Sequence, residues 1–541
     1  MNLQGFLVTG PRRPIARAVP LFVLLALGFL LFPSSGRDDS HITYWESHTL
    51  VRMGSIVNGN GVPLEQSSSL LLVLLLAALH ALTTISLPTL GAIVSIAFAA
   101  LSVRRCVRVA RVLDPELEWP IWLLVPMIPS LIFWAYSGME TTLVAFLLLG
   151  LMEATYRCAM GETERAWLPA IGWIAALLLA RPESPFTLAL SLGASAVVFA
   201  LARESARAKR MLVLVAAVLA MTAILLAWRR HTFGSFFPLP TEAKTERGKG
   251  MIVRGILYVL REGCGAAGVL VIAMGLRAAT WIRNPKSAFD HPMRALIHVF
   301  GAVQLSFVAT AGGDWMEGGR FFVAMTPLAT LSVVDFLHHR AWRSWGIAAI
   351  ALLHAYGVVA LAIRFDGMLW RFPTPDPLLN KGYSFFETHN FERRNFLLAM
   401  PAAEKAIADV RARTGRPAVL LSKYAGVPFY YLARDHFGEV ELLDFQGLAT
   451  AHFTRCALTR SMRHDYLGVR IPYETYLERR EEFKRVCGVP EPDIIFDGYY
   501  ASLDVGREQV LERFGYRIVA KIPDEHLKGV GLFVAVRDVT R

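Results

Sequence analysis

Apolar runs long enough to cross a bilayer recur through the first two-thirds of this chain, and that recurrence limits its folds more than any other feature. "AVPLFVLLALGFLLF" and "MLVLVAAVLAMTAILLAW" are two of them. Backbone polar groups inside a bilayer must be satisfied within the chain, so such runs form helices. Of the 541 residues, 54% are hydrophobic and only 18% charged, where a soluble chain carries about 25% charged residues. From Asp366 onward the composition becomes that of an ordinary globular domain. The expected fold class is a polytopic α-helical membrane protein, residues 1–365, followed by a soluble α/β domain, residues 366–541.

Arginines and lysines cluster in short loops between apolar runs, as in "RRCVRVAR" and "RESARAKR". Cytoplasmic loops carry this bias. The formal net charge of +12 therefore reflects topology, and nucleic acid is not an expected partner. With the amino terminus inside, crossings are expected over Ala16–Pro33, Pro88–Val103, Trp119–Tyr136, Thr141–Tyr156, Trp167–Ala180, Pro185–Leu201, Met211–Trp228, Gly265–Ile282, Ala295–Ala311, Phe321–Leu337 and Trp345–Arg364. That makes about eleven, on a basis of ~20 residues per helix. Ser69–Ser86 is also apolar, but a crossing there would place the arginines of "RRCVRVAR" outside. It is expected to lie beside the membrane or to re-enter it. The odd count puts the carboxyl-terminal domain on the outer face of a bacterial plasma membrane. Retention of the first helix is expected over signal-peptide cleavage, because it anchors the loop that follows.

Four polar loops collect on that outer face: "GRDDSH", "YSGMETT", "GSFFPLPTEAKTERGKG" and "GGDWMEGGR". Charged residues at a membrane face that do not follow the inside-positive bias point to function. Asp38 and Asp39 can divide two tasks, one taking a proton from a hydroxyl and the other holding a cation or orienting a group. Their proximity also raises one of the two pKa values, which suits a base. His41 follows in the same loop. Glu140 opens a helix, where a carboxylate is also favourable without any catalytic role. Arg181 and Glu183 sit at an outer boundary, where a snorkelling arginine with a carboxylate partner is ordinary. Lys244, with Arg247 and Lys249, lies outside against the charge bias, which a phosphate partner would explain. Asp314, Trp315, Glu317 and Arg320 are packed among glycines that let a ligand approach the backbone. Each has a purely structural explanation alone. Their gathering on one face is what suggests a site.

The tail offers "FERRNFLLAMPAAEKAIADVRARTG" as a helix ending at a glycine. "AVLLS", "VELLDF", "DIIFDG", "YRIVAKI" and "GLFVAV" are expected as buried strands. Cys456 and Cys487 can pair if the domain faces an oxidising compartment. No CxxC spacing suggests zinc or redox chemistry. The glycines of "GCGAAG" match a dinucleotide fingerprint but follow no strand, so close helix packing accounts for them better.

In this order, the outer-loop "DD" with "NGNGV", then "YSGMET", "ARPE", "FGSFFPLPTEAK" and "GGDWMEGGRFF", the chain resembles the GT-C superfamily of polytopic glycosyltransferases. It is most similar to the branch containing the mycobacterial terminal β-(1→2)-arabinofuranosyltransferase. "YAGVPFYY", "LLDFQGL" and "PDIIF" extend the likeness into the tail. The resemblance implies an enzyme that moves a sugar, arabinofuranose in that branch, from a polyprenyl-phosphate donor to a cell-envelope glycan or other acceptor such as a lipid or protein. In the family an aspartate of the first outer loop is the base, which maps to Asp38 or Asp39. His41, Glu140, Arg181, Glu183, Lys244, Asp314, Trp315 and Arg320 are then expected around donor or acceptor, with the basic residues near the phosphate. A divalent cation is compatible with the chemistry and not required by it. Two departures bear on the sugar and acceptor. Leu239 and Pro240 stand where the branch has asparagine, and Gln66 replaces a glycine. A transporter or flippase is the main rival, but the chain has no internal repeat and its ionisable residues do not gather at the midplane. A membrane-anchored binding protein is a third reading.

Overall fold

The computed structural model describes residues 14–33, 38–163, 165–244, 249–267, 291–314, 316, 318–365, 376–459, 463–465, 468–470, 473–500, 504–524 and 529–538, with four isolated positions between 268 and 290. The chain forms two compact units. One comprises residues 1–35, 92–228 and 248–371, and the other residues 36–91, 229–247 and 372–541. The tail thus folds as one body with the first polar loop and with the segment after Trp228.

The first unit is helical. Among the described residues, six helices are long and apolar enough to cross a membrane: Leu87–Leu113, Thr141–Met160, Ser184–Leu201, Ser205–Phe233, Pro292–Thr310 and Arg343–Arg364. Shorter apolar helices cover Ala18–Leu31 and Trp167–Ala180 in this unit and Leu70–Thr83 in the second. Only 22% of the apolar window of Ser205–Phe233 is buried within the chain, so most of its apolar surface needs lipid. The expected crossing Trp119–Tyr136 is broken into helices Glu118–Leu124 and Pro129–Trp134 around a 3-10 turn, Val125–Met127. Pro126 and Pro129 explain the break, because each lacks an N–H and crowds the preceding turn. One freed backbone group finds a partner, since Ser130 N–H donates to the Ala266 carbonyl at 2.7 Å; the side chain of Trp134 in the second helix donates from its indole to the Gly318 carbonyl at 2.9 Å. Phe321–Leu337 is likewise divided into a 3-10 turn, Arg320–Phe322, and a helix, Thr326–His338. Gly265–Ile282 lies mostly outside the described residues.

The second unit centres on a five-stranded sheet. Its strands are β1 (Ala418–Ser422), β2 (Val440–Asp444), β5 (Ile494–Tyr500), β6 (Tyr516–Pro523) and β7 (Val530–Arg537), while β3 (Arg463–Asp465) and β4 (Gly468–Arg470) form a separate ribbon. The order is β2-β1-β5-β7-β6. β1 runs parallel to β2 and β5, and β7 runs antiparallel to β5 and β6. The five strands expected from the sequence are these five. The expected helix spans Phe391–Thr414, capped by Asn390 at its start and by Gly415, φ 69°, at its end. Leu421, Leu443, Phe453, Tyr476, Phe483, Ile495 and Phe533 fill the core on one side of the sheet. Cys456 and Cys487 are joined in a disulfide.

The first polar loop folds onto this sheet. In "NGNGV", Asn58 Oδ1 accepts from the N–H of Asn60 at 3.0 Å and of Val62 at 2.9 Å, closing a tight turn. Gly61 takes φ +79° there, a conformation that favours glycine. The Asn60 amide then donates to the Leu442 carbonyl and accepts the Leu442 N–H, both at 2.8 Å. Two asparagines thus dock the loop on the outer edge of β2. Ser69–Ser86, expected beside the membrane, contains a helix of 14 residues, Leu70–Thr83, which belongs to the second unit.

Candidate functional site

Asp38 and Asp39 precede the helix Ser40–Met53, which is buried along most of its length despite its polar residues. Asp38 is buried, and its Oδ2 accepts the Gly426 N–H at 2.9 Å. Asp39 is half-buried and occupies the cap position of the helix. The vicinal pair is thus divided: one carboxylate holds the tail, and the other keeps more contact with the surroundings.

One residue further, His41 is enclosed. Its Nε2 meets Glu387 Oε1 at 2.8 Å, and the Tyr431 hydroxyl donates to the same oxygen at 2.5 Å. Glu387 Oε2 accepts the Ser384 N–H at 3.1 Å. Burial alone would push Glu387 up, but the hydrogen bonds from His41, Tyr431 and Ser384 together hold it below the usual carboxylate range. Burial also lowers His41. Arg393 reaches the Ser40 hydroxyl at 3.0 Å on the same helix.

A second buried acid lies one turn beyond Ile42. Glu46 Oε1 accepts the N–H groups of Gln66 and of Ser67, the latter at 2.9 Å. Burial, followed by repulsion from Glu65, pushes Glu46 up to about 8. Glu65 itself forms a two-point pair with Arg229, at 2.7 and 2.8 Å, and both side chains are buried. Its carbonyl accepts the Leu239 N–H at 2.8 Å. Glu65 therefore clamps "LEQSSSL" to the segment carrying "PLPTEAK". Lys244 is half-buried and ends the short helix Leu239–Ala243 of that segment.

The other candidates fold in the helical unit and converge there. Glu140 stands at the cap of Thr141–Met160 but makes no side-chain cap bond. It pairs instead with Arg181, whose Nε also reaches Glu183 at 2.7 Å. Arg320 holds Asp314 at two points, with Nη2 donating to Oδ1 at 3.1 Å and Nε 2.7 Å from Oδ2. The second contact is ionic, its angle too poor for a hydrogen bond. The guanidinium of Arg181 lies 5.4 Å from the centre of the Phe321 ring and that of Arg320 lies 5.2 Å from it, within cation–π range. Five of the residues singled out in the sequence thus form one network around Phe321. Trp315 and Glu317 lie outside the described residues, as does Arg247. Among the described residues, no group of three or more His, Cys, Asp or Glu is arranged to hold a metal ion.

Several participants were not evident from the sequence. Phe321 is a cation–π partner in an apolar stretch. Glu387, Tyr431 and Arg393 come from the tail, far from the loop they support. Glu46 lies on the helix Ser40–Met53, a segment for which the sequence offered no element. Arg229 carried a usable signal, since it stands at the end of an apolar run that the charge pattern expects to point outward.

A helical unit with helices long and apolar enough to cross a membrane and a second, α/β unit that contains the first polar loop define a fold shared with two solved proteins. The ArnT of Cupriavidus metallidurans, solved with undecaprenyl phosphate, matches it with TM-score 0.52 and 13% identity, over 97% of this chain and 98% of its own. The oligosaccharyltransferase AglB of Archaeoglobus fulgidus, solved with an inhibitory peptide and a dolichol-phosphate, matches with TM-score 0.51 and 10% identity, over 92% of this chain and 71% of its own. At these identities the likeness is one of fold. No protein-family model matches the chain, and no curated protein matches it.

Proposed function

We propose that this protein is a membrane glycosyltransferase that moves a sugar from a polyprenyl-phosphate donor to an acceptor hydroxyl on the outer face of the plasma membrane. The observation that carries this reading is the fold likeness over nearly the full length to a protein solved with undecaprenyl phosphate. The disulfide Cys456–Cys487 supports an outer, oxidising location for the tail. The resemblance of the outer-loop motifs favours arabinofuranose as the sugar and an envelope glycan as the acceptor.

In this mechanism a carboxylate of the Asp38–Asp39 pair takes the proton of the acceptor hydroxyl. The oxygen attacks the anomeric carbon, and the bond from that carbon to the lipid-phosphate oxygen breaks on the opposite side. The configuration inverts, and the phosphate leaves with the electron pair. Positive charge develops on the sugar in the transition state, as in glycoside hydrolysis. Asp39 has the better access of the two, since Asp38 is buried and holds Gly426.

The test is to incubate the purified protein with a panel of polyprenyl-phosphate sugars and identify which is consumed. Consumption of one of them with release of the polyprenyl phosphate supports the reading. No consumption of any donor in the presence of envelope glycan acceptors contradicts it.

A further inference from the structure

The carboxyl-terminal part of helix Leu87–Leu113 opens onto a cavity of about 820 Å³, lined in part by Arg104, Arg108, Arg111, Arg343, Trp119 and Trp122. None of its lining residues belongs to the network around Phe321. Arg104, Arg108 and Arg111 are spaced four and three residues apart, so they share one face of the helix. Two of the four arginines are neutralised. Glu118 accepts from Arg111 Nε at 2.8 Å and from its Nη2 at 2.6 Å, and Arg343 meets Glu116 at 3.2 Å. Arg104 and Arg108 are exposed and have no ion-pair partner among the described residues. The cavity wall therefore holds an excess of two positive charges, at the polar end of a helix apolar enough to span a membrane.

We propose that this cavity binds the phosphate-bearing headgroup of an anionic membrane lipid. The guanidinium fork matches phosphate oxygens, and arginine gives up its hydration more easily than lysine. Tryptophans belong at the boundary between headgroups and hydrocarbon, where their rings are half in each. Basic pockets between helices at the cytoplasmic face recognise acidic headgroups in this way. The inside-positive bias accounts for arginines in this loop. It does not account for a cavity between helices in which two of them stand without counter-charges beside two indole rings. A free phosphate would meet the same guanidinium groups, but it would draw nothing from the tryptophans or from the adjoining apolar span.

The test uses the full chain in lipid nanodiscs of phosphatidylcholine, with and without phosphatidylglycerol. Bound lipid is read by native mass spectrometry and stability by thermal unfolding. The wild type is expected to retain phosphatidylglycerol and to unfold at a higher temperature in its presence. Arg104→Ala/Arg108→Ala is expected to retain it at least tenfold less, because the variant removes both guanidinium groups that lack a counter-charge. Both side chains are exposed, so the variant should match the wild type in phosphatidylcholine alone. Should it unfold there, Arg104→Gln/Arg108→Gln keeps the polar surface and takes its place. Equal retention by wild type and variant overturns the proposal. Displacement of the lipid by inorganic phosphate or glycerol phosphate overturns the lipid as the source and makes the cavity a site for soluble phosphate.

Discussion

The carboxylate of Asp38 accepts the backbone N–H of Gly426 at 2.9 Å, across 388 residues of sequence. The contact fixes the acidic start of helix Ser40–Met53 against the loop before helix Val427–Asp435. It also explains why that loop contains glycine. A Cβ at position 426 would fall 2.1 Å from the Asp38 carbonyl oxygen, a backbone atom that cannot turn aside.

Gly426→Ala should therefore push the Asp38 turn away. The expected cost is ~1–3 kcal/mol, as for other overpacked positions. Thermal unfolding of the purified protein checks the stability, and sugar transfer should fall in parallel because the Asp38–Asp39 turn moves.

Glu46 gives a pH signature of defined sign. Its folded value, about 8, lies above the ordinary 4.5. Such a group favours the fold fully below the unfolded value and loses that contribution as pH rises through the folded one. Glu46→Gln keeps an acceptor for the N–H groups of Gln66 and Ser67 but cannot ionise. Its unfolding temperature should rise relative to wild type between about pH 4.5 and about pH 8, with little difference at lower pH. A constant difference across that range would mean that Glu46 is ionised in the fold.

The Glu65–Arg229 pair is buried on both sides. Arg229→Met leaves a carboxylate without its cation and should destabilise by about 3–5 kcal/mol. Glu65→Leu combined with Arg229→Met removes both charges and should recover most of that loss. A double-mutant cycle by denaturant unfolding separates the pair from its neighbours.

Reduction should weaken the tail. Cys456 and Cys487 close a loop across a separation of 31 residues, and cross-links of that size typically contribute ~2–4 kcal/mol. Dithiothreitol should lower the unfolding temperature of wild type and leave Cys456→Ser/Cys487→Ser unchanged.

What the sequence made legible follows from periodicity. Strands such as "AVLLS" and "GLFVAV" are continuous apolar runs of strand length, and they form strands. "FERRNFLLAMPAAEKAIADVRARTG" repeats on a helical period and stops at Gly415. The broken crossing at Pro126 and Pro129 was less legible, because an apolar run looks alike whether or not its helix is interrupted. The segment after Asp39 misleads for the opposite reason. "SHITYWESHTLVRM" is polar and aromatic, yet it forms a buried helix because Glu387, Arg393 and the N–H groups of Gln66 and Ser67 satisfy its polar groups. Those partners lie far away in sequence, and no local pattern announces them. The acidic and basic residues of the polar loops were visible as types, but not that Arg181 and Arg320 would both lie within reach of the Phe321 ring, nor that the first loop would fold with the tail.

The most direct measurement of the central claim is sugar transfer from a polyprenyl-phosphate donor by Asp38→Asn and Asp39→Asn, each shown by thermal unfolding to be folded. Loss of the general base should slow transfer by about 100-fold or more, in Asp39→Asn above all, with donor binding retained. Full activity in both variants would contradict the account.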